Sequence, residues 1–219
     1  MAKSKRKGRD RVRKNYGRRV GDSPPRKNIL IVCEGKKSEP LYFKALCEEL
    51  NLKSVTIEGS GACYQAVVEH ALESQKRRKR EAKKTHSHNW GKEKFDEVWC
   101  VFDFERAEDK PSLYRAVDKA EANGLNLAIS APCFEFWYLL HFKDTTKPFQ
   151  NASEVIKLLK AFIPDYDKTT PVFDKLSGYT DKAIVTAKKL RKNQTLEGKY
   201  PNPSTQVDKL VEALKKMSG

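Results

Sequence analysis

The chain has 219 residues, 38% of them hydrophobic, and carries 44 Lys and Arg against 29 Asp and Glu, for a formal net charge of +15. That length and apolar content suit one substantial domain, or a domain with a small appendage, and the charge favours a polyanionic partner. No apolar run approaches the roughly 20 residues that cross a bilayer, and the basic N-terminus lacks the apolar stretch of a secretory signal, so a cytoplasmic protein without a membrane partner is expected.

The charge is concentrated. Residues 1–28 hold 12 Lys/Arg and 2 Asp/Glu, and "KRRKREAKK" from Lys76 to Lys84 holds 7 basic residues and one acid. Everything else is near neutral, so two local runs make the chain basic. Residues 1–27 have almost nothing to bury and read as a disordered basic arm. Dense Lys/Arg runs stay solvated and attract nucleic acid; a solubilising tail and a solvated helix face are the plainer alternative.

"NILIVC" from Asn28 reads as a buried strand, followed by Glu34 and Gly35. "EPLYFKALCEEL" repeats apolar residues at helical spacing, with Pro40 in the first turn, where its missing N–H does no harm. "KSVTIEG" is a short β-branched strand ending at Gly59. "GSGAC", Gly59 to Cys63, is a glycine turn that either cradles a phosphate or only turns tightly into the next helix. That helix runs on through the basic stretch to Lys84, and a loop with His86 and His88 follows. "DEVWCVFDFE" is nearly continuous in apolar character, as buried parallel strands are. "SLYRAVDKAEANG" is a helix closed by Gly124, "LNLAIS" another strand, and "APCFEFWYLLHF" an apolar helix whose aromatic residues read as core or as a base-stacking surface.

Beyond Lys143 the alternation stops, and three amphipathic helices follow with no convincing strand between them. The expected fold is α/β, a parallel sheet flanked by helices over residues 28–143, with a helical C-terminal part over 144–219 packed on it. Cys33, Cys47, Cys63, Cys100 and Cys133 lack metal-ligand or disulfide-frame spacing and read as reduced, buried thiols.

In open parallel sheets ligands sit at the carboxyl ends of the strands, and here those ends carry acids. The first strand ends at Glu34, the third at Asp103 with Glu105 two residues on, and the fourth at Ser130 with Glu135 shortly after. Residues two apart on an extended segment face the same way, so Asp103 and Glu105 can share a site, and Glu34 joins them if its strand is adjacent. Clustered carboxylates repel one another unless a cation is present, and hard oxygen donors favour Mg²⁺ or Mn²⁺. The alternative is that they are solvated strand caps. His141 reads as packed or capping before catalytic, and Lys36 and Lys37 as phosphate neutralisers or plain surface lysines.

Taken together, "ILIVCEGKKSEPLYF", "VWCVFDFE", "AISAPCFEFWYLLHF", "YDK" at Tyr166 to Lys168 and "NPSTQVDKLVEAL" resemble the RloB-like family, in the same order and over most of the chain after about residue 28. The family is regarded as Toprim-related, and its members occur with bacterial restriction and abortive-infection loci. The resemblance implies a Toprim-like sheet and a metal-dependent nuclease in antiviral defence. Residue by residue it makes Glu34 the catalytic general acid/base and Asp103 the first metal-binding acid of a D-x-D motif. Glu105 stands in place of the second aspartate, one methylene longer. Glu39 falls near a further acid of defence-type Toprim nucleases, and Glu135 matches an acid characteristic of RloB-like proteins. The expected metal set is thus Glu34, Glu39, Asp103, Glu105 and Glu135, with Mg²⁺ or Mn²⁺, and the substrate is nucleic acid, RNA slightly before DNA, reached through the arm and residues 76–84. The rival reading is a non-catalytic subunit that binds nucleic acid or a protein partner from a defence or restriction locus.

Overall fold

A computed structural model describes residues 27–84, 94–105, 110–193 and 200–218. The basic arm before Lys27 and the histidines at 86 and 88 lie outside the described residues. The first half alternates as the sequence predicts: β1 (Ile29–Cys33), α1 (Ser38–Glu49), β2 (Val55–Gly59), α2 (Tyr64–Lys84), β3 (Glu97–Asp103), α3 (Lys110–Ala122) and β4 (Asn126–Ala131). Then come α4 (Glu135–Leu140), α5 (Ala152–Leu159), α6 (Phe173–Leu176), α7 (Thr180–Asn193), β5 (Ser204–Thr205) and α8 (Val207–Ser218).

The sheet has the order β2-β1-β3-β4-β5, with the first four strands parallel and β5 antiparallel to β4. The chain leaves β1 towards β2 and returns to add β3 on the other side. The switch point of the sheet, where the crossovers diverge and a crevice opens, therefore lies between β1 and β3.

All five residues of β1 are fully buried, which is why that strand reads as an unbroken apolar run. Its alternate side chains serve two cores. Leu30 and Val32 pack with α2 and α3. Ile29, Ile31 and Cys33 pack with α1 and the aromatic helix α4, and that core continues without a break into α5–α8. Phe134, Phe136, Trp137 and Tyr138 are all buried in it, so they are core and not a stacking surface. Gly124 ends the α3 turn at φ +68°, where a side chain would be strained.

One expectation is corrected. A strand does form after Lys143, because Ser204 and Thr205 pair with Ala131 and Ser130. Two residues are too short for any periodicity, and the pairing is fixed by side chains from far along the chain. Thr205 Oγ1 shares a 2.9 Å hydrogen bond with Ser130 Oγ, and Arg191 donates to the Thr205 carbonyl at 2.7 Å. The same guanidinium forms a two-pronged pair with Asp208, which is fully buried. Arg191 thus ties α7, β5 and α8 together. Arg191→Lys keeps the charge and loses the fork, and should cost roughly 1.5 kcal/mol in denaturant unfolding.

Candidate active site

β1 and β3 end side by side, Cys33 opposite Val101, and the Glu34 N–H donates to the Val101 carbonyl at 2.8 Å. This extends the pairing one residue and aims Glu34 across β3. Its Oε2 accepts from the Asp103 backbone N–H at 3.0 Å. Asp103 is the last residue of β3, paired with Ser130 of β4, and the nearby Phe134 backbone N–H favours its charged form. Strand geometry alone therefore brings two of the acids together at the switch point.

Two more come from helix N-termini, where the aligned peptide dipoles favour a negative charge. Glu39 stands in the first turn of α1 and Glu135 in the first turn of α4. Both are buried. Glu39 Oε1 accepts from the Gly35 N–H at 3.0 Å, and a Cβ on Gly35 would collide with the Glu39 carboxylate. Gly35 is thus a glycine so that Glu39 can fold back beneath it. Glu135 Oε1 accepts from Tyr166 Oη at 2.9 Å and from Ser38 Oγ at 3.4 Å, while its Oε2 is buried with no hydrogen-bond partner.

All five acids line one cleft of about 740 Å³, with Glu105 exposed at its rim and Lys36, Lys37 and Lys168 among the other lining residues. The "GSGAC" turn reaches the cleft through Cys63. Its Ser60 and Gly61 N–H groups donate to the Cys33 and Glu34 carbonyls at 2.8 and 2.7 Å, and Gly61 takes φ +67°. Those donors hold the end of β1 and do not cradle a phosphate.

Packing so many acids into a recess perturbs them. Burial drives the Glu34 carboxyl up from 4.5 to about 7; its bond from Asp103 N–H opposes this, and the charges of Glu39 and Glu105 add to it. Burial likewise raises Glu39 and, more strongly, Asp103, which also feels the charges of Glu39, Glu135 and Glu34. For Lys168, partial burial favours the neutral amine, but Glu135, Asp103 and Glu39 outweigh it and the ammonium is held more firmly.

These shifts set a pH dependence for the metal-free protein. Between about pH 4.5 and 7 the folded chain holds a proton on Glu34 that the unfolded chain has released. The folded state binds more protons there, so stability falls as pH rises through that window. The Glu34 share is roughly 1–2 kcal/mol after solvent screening. Melting in EDTA across that range should show the decline, and Glu34→Gln should make it shallower.

Among the described residues, no three His, Cys, Asp or Glu side chains already close around a single point as metal ligands do. The donor chemistry nonetheless fits a hard cation. Every donor is a carboxylate oxygen, the deepest of them are buried with excess negative charge, and the Glu135 Oε2 atom has no partner. Binding would draw the carboxylates inward by side-chain rotation.

His141 is fully buried beneath Trp137, whose carbonyl its Nδ1 meets at 2.9 Å. Burial lowers it to about 4, and it is absent from the cleft lining, so it is a packed neutral ring. Cys33, Cys47, Cys100 and Cys133 are buried free thiols as expected, but Cys63 is exposed because it sits in the turn before α2. The residues that sequence reasoning missed are Lys168, Tyr166 and Ser38. The only signal for Tyr166 and Lys168 was the "YDK" triplet, far from the strand ends in the chain, while Ser38 stands beside Glu39 in "ILIVCEGKKSEPLYF".

The basic stretch is placed differently from the acids. Tyr64 and Gln65, at the start of α2, line the cleft, and at 1.5 Å per residue Lys76 to Lys84 lie about 18–30 Å further along the helix. Exposed Lys76, Lys79, Arg80 and Lys83 recur at helical spacing and form one stripe.

A protein-family model described as "RloB-like protein" matches residues 29–214. No curated protein and no solved structure matches. The match covers both the strands that carry the acids and the helices that close over them, and the chain belongs to the RloB-like family.

Proposed function

We propose that this RloB-like protein is a metal-dependent phosphodiesterase that cleaves nucleic acid, RNA before DNA, in antiviral defence. The observation that carries the reading is the convergence of five carboxylates on one cleft at the switch point of a parallel sheet, with three lysines at its edge. A divalent cation bound by Asp103, Glu105 and their neighbours would polarise the scissile phosphate and neutralise charge developing on it. Glu34 is placed to act as the base. It takes a proton from the attacking hydroxyl or water as the new O–P bond forms, and that proton leaves with the departing oxygen. The cleft lysines face the non-bridging oxygens. RNA ranks before DNA by analogy with defence effectors that arrest their host. The test is incubation of the full-length protein with single-stranded RNA and DNA in Mg²⁺, Mn²⁺ or EDTA. Divalent-dependent cleavage supports the reading, and intact substrates under every condition overturn it.

A second reading is favoured by one observation, the absence of any ready-made three-ligand metal cluster among the described residues. In it the acids no longer hold a metal, and the protein binds nucleic acid or a partner protein without cutting. Both readings use the α2 stripe. It lies too far from the cleft for one nucleotide to bridge, so it should matter only for long strands. Changing Lys76, Lys79, Arg80 and Lys83 to Gln should lower the slope of log affinity against log salt for a long single strand by roughly 3, at about 0.7 per phosphate contact. A trinucleotide should bind unchanged.

A further inference from the structure

We infer that Lys168 is the cation that contacts a non-bridging oxygen of the bound phosphate, and that Glu135 is the residue that positions it. This deepens the phosphodiesterase reading and rests on it for the presence of a phosphate in the cleft. Lys168 comes from the connection between α5 and α6, far in sequence from the strand ends, yet it lines the same cleft as the acids.

Ordinary surface lysines sweep freely, and this one is held at both ends. Its carbonyl lies 3.3 Å from Ser38 Oγ and shares that hydroxyl's single proton with Glu135 Oε1, which docks the backbone on the start of α1. Its ammonium lies 3.8 Å from Glu135 Oε1. The residues around it form a closed turn, in which Asp167 Oδ1 accepts from the Thr169 N–H at 2.9 Å and from Thr169 Oγ1 at 2.6 Å. The Thr170 N–H reaches the Asp167 carbonyl at 2.9 Å. On the other side Tyr166 is buried, its ring 6.0 Å from that of Tyr138, and its hydroxyl donates to the same Glu135 oxygen that faces Lys168.

Glu135 is built to hold a cation in place. Its side chain is 2% exposed, while that of Lys168 is 56% exposed. A fixed, buried carboxylate thus restrains a lysine whose head remains open to the cleft. The two Glu135 oxygens have separate surroundings. Oε1 gathers Tyr166, Ser38 and Lys168, and Oε2 has no partner. Lys168 fits a phosphate because a compact ammonium with three donors and no acceptor recognises an anionic oxygen as a point charge. With the acids neutralised, it is the anchored positive charge left at the cleft mouth. Lys36 and Lys37 are both exposed on the loop after β1.

The test uses the full-length protein carrying Glu34→Gln, which should not cleave, in Mg²⁺ with a 5′-phosphorylated RNA trinucleotide or its DNA counterpart as probe. Lys168→Ala should weaken probe binding about tenfold, the loss typical of one hydrogen bond to a charged group, with Lys168→Arg recovering part of it. Tyr166→Phe changes no charge and does not reach the probe. It should still weaken binding severalfold, and should add nothing on top of Lys168→Ala, since both act through one ammonium. The thermal stabilisation given by Mg²⁺, measured without probe in proteins that keep Glu34, should survive in Lys168→Ala.

Unchanged affinity in Lys168→Ala would overturn the inference, as would a parent that fails to bind the probe. Loss of the Mg²⁺ stabilisation in Lys168→Ala would also overturn it, by showing that the lysine only orders the acids. An additive effect of Tyr166→Phe in the Lys168→Ala background would remove the positioning role of Glu135. If no protein of the series, wild type included, cleaves RNA or DNA while the Lys168 losses appear as stated, the phosphodiesterase reading falls and the phosphate contact stands.

Discussion

Asp103→Asn should abolish the stabilisation that Mg²⁺ or Mn²⁺ gives the parent protein. Asp103 stands at the end of β3, with its backbone N–H bonded to Glu34 Oε2 and its side chain in the cleft lining, so on the proposed reading a metal at the switch point uses it. A ligand that binds only the folded state stabilises it by RT ln(1 + [L]/Kd), roughly 2.7 kcal/mol at a hundredfold excess. For a chain of this size that is roughly 5–10 °C in melting temperature. A neutral amide is a poor ligand for a hard cation, so the mutant should lose the whole gain. The amide keeps the size of the side chain, so the fold should hold. In EDTA at pH 8 the mutant should melt above the parent, because burial and the charges of Glu39, Glu135 and Glu34 all disfavour the ionised Asp103. Glu105→Asp restores the D-x-D spacing of the resembling family and should keep the metal gain. Equal melting of all three proteins with and without metal would leave the binding-subunit reading ahead.

Glu34→Gln should lower cleavage by roughly 10²–10⁴-fold, the usual contribution of a positioned base. The amide keeps the size of the side chain and can still accept from the Asp103 N–H, so the fold and substrate binding should hold, with melting above pH 7 raised because a buried charge is gone. What disappears is the proton acceptor. Single-turnover cleavage beside equilibrium binding separates the two effects. A mutant that cleaves at the parent rate would move the base elsewhere in the cleft, and Glu39 would be the next to examine.

Much of this site was legible in the sequence because strand ends are local. Ile29–Cys33 and Glu97–Asp103 are continuous apolar runs that stop at an acid, and in a parallel sheet such stops lie on one edge. Glu135 was legible as an acid just past the fourth strand, but a place for it and for Glu39 in the site came only through resemblance, since their burial at helix N-termini depends on how α1 and α4 meet the sheet. Lys168 and Tyr166 were hidden because no periodicity links a loop before α6 to the end of β1, and Ser38, at the start of α1, has a role only through its contacts with that loop. β5 was hidden for a related reason. Ser204 and Thr205 have no strand pattern, and Arg191 and Ser130, which hold them, are distant in the chain. The basic stretch was read as the second half of the helix that is α2, but the sequence could not say how far from the acids that half lies.

Calorimetric titration of Mn²⁺ or Mg²⁺ into the metal-free, full-length protein at pH 6.5 tests the central claim most directly. Burial raises the Glu34 carboxyl to about 7, so part of the protein carries that proton there, and a cation entering the cleft displaces it. The account expects saturable binding, with heats that differ between buffers of different ionisation enthalpy because protons are released, and no binding to Asp103→Asn. Featureless titrations up to several millimolar metal, an order-of-magnitude ceiling for weak hard-cation sites, would contradict it.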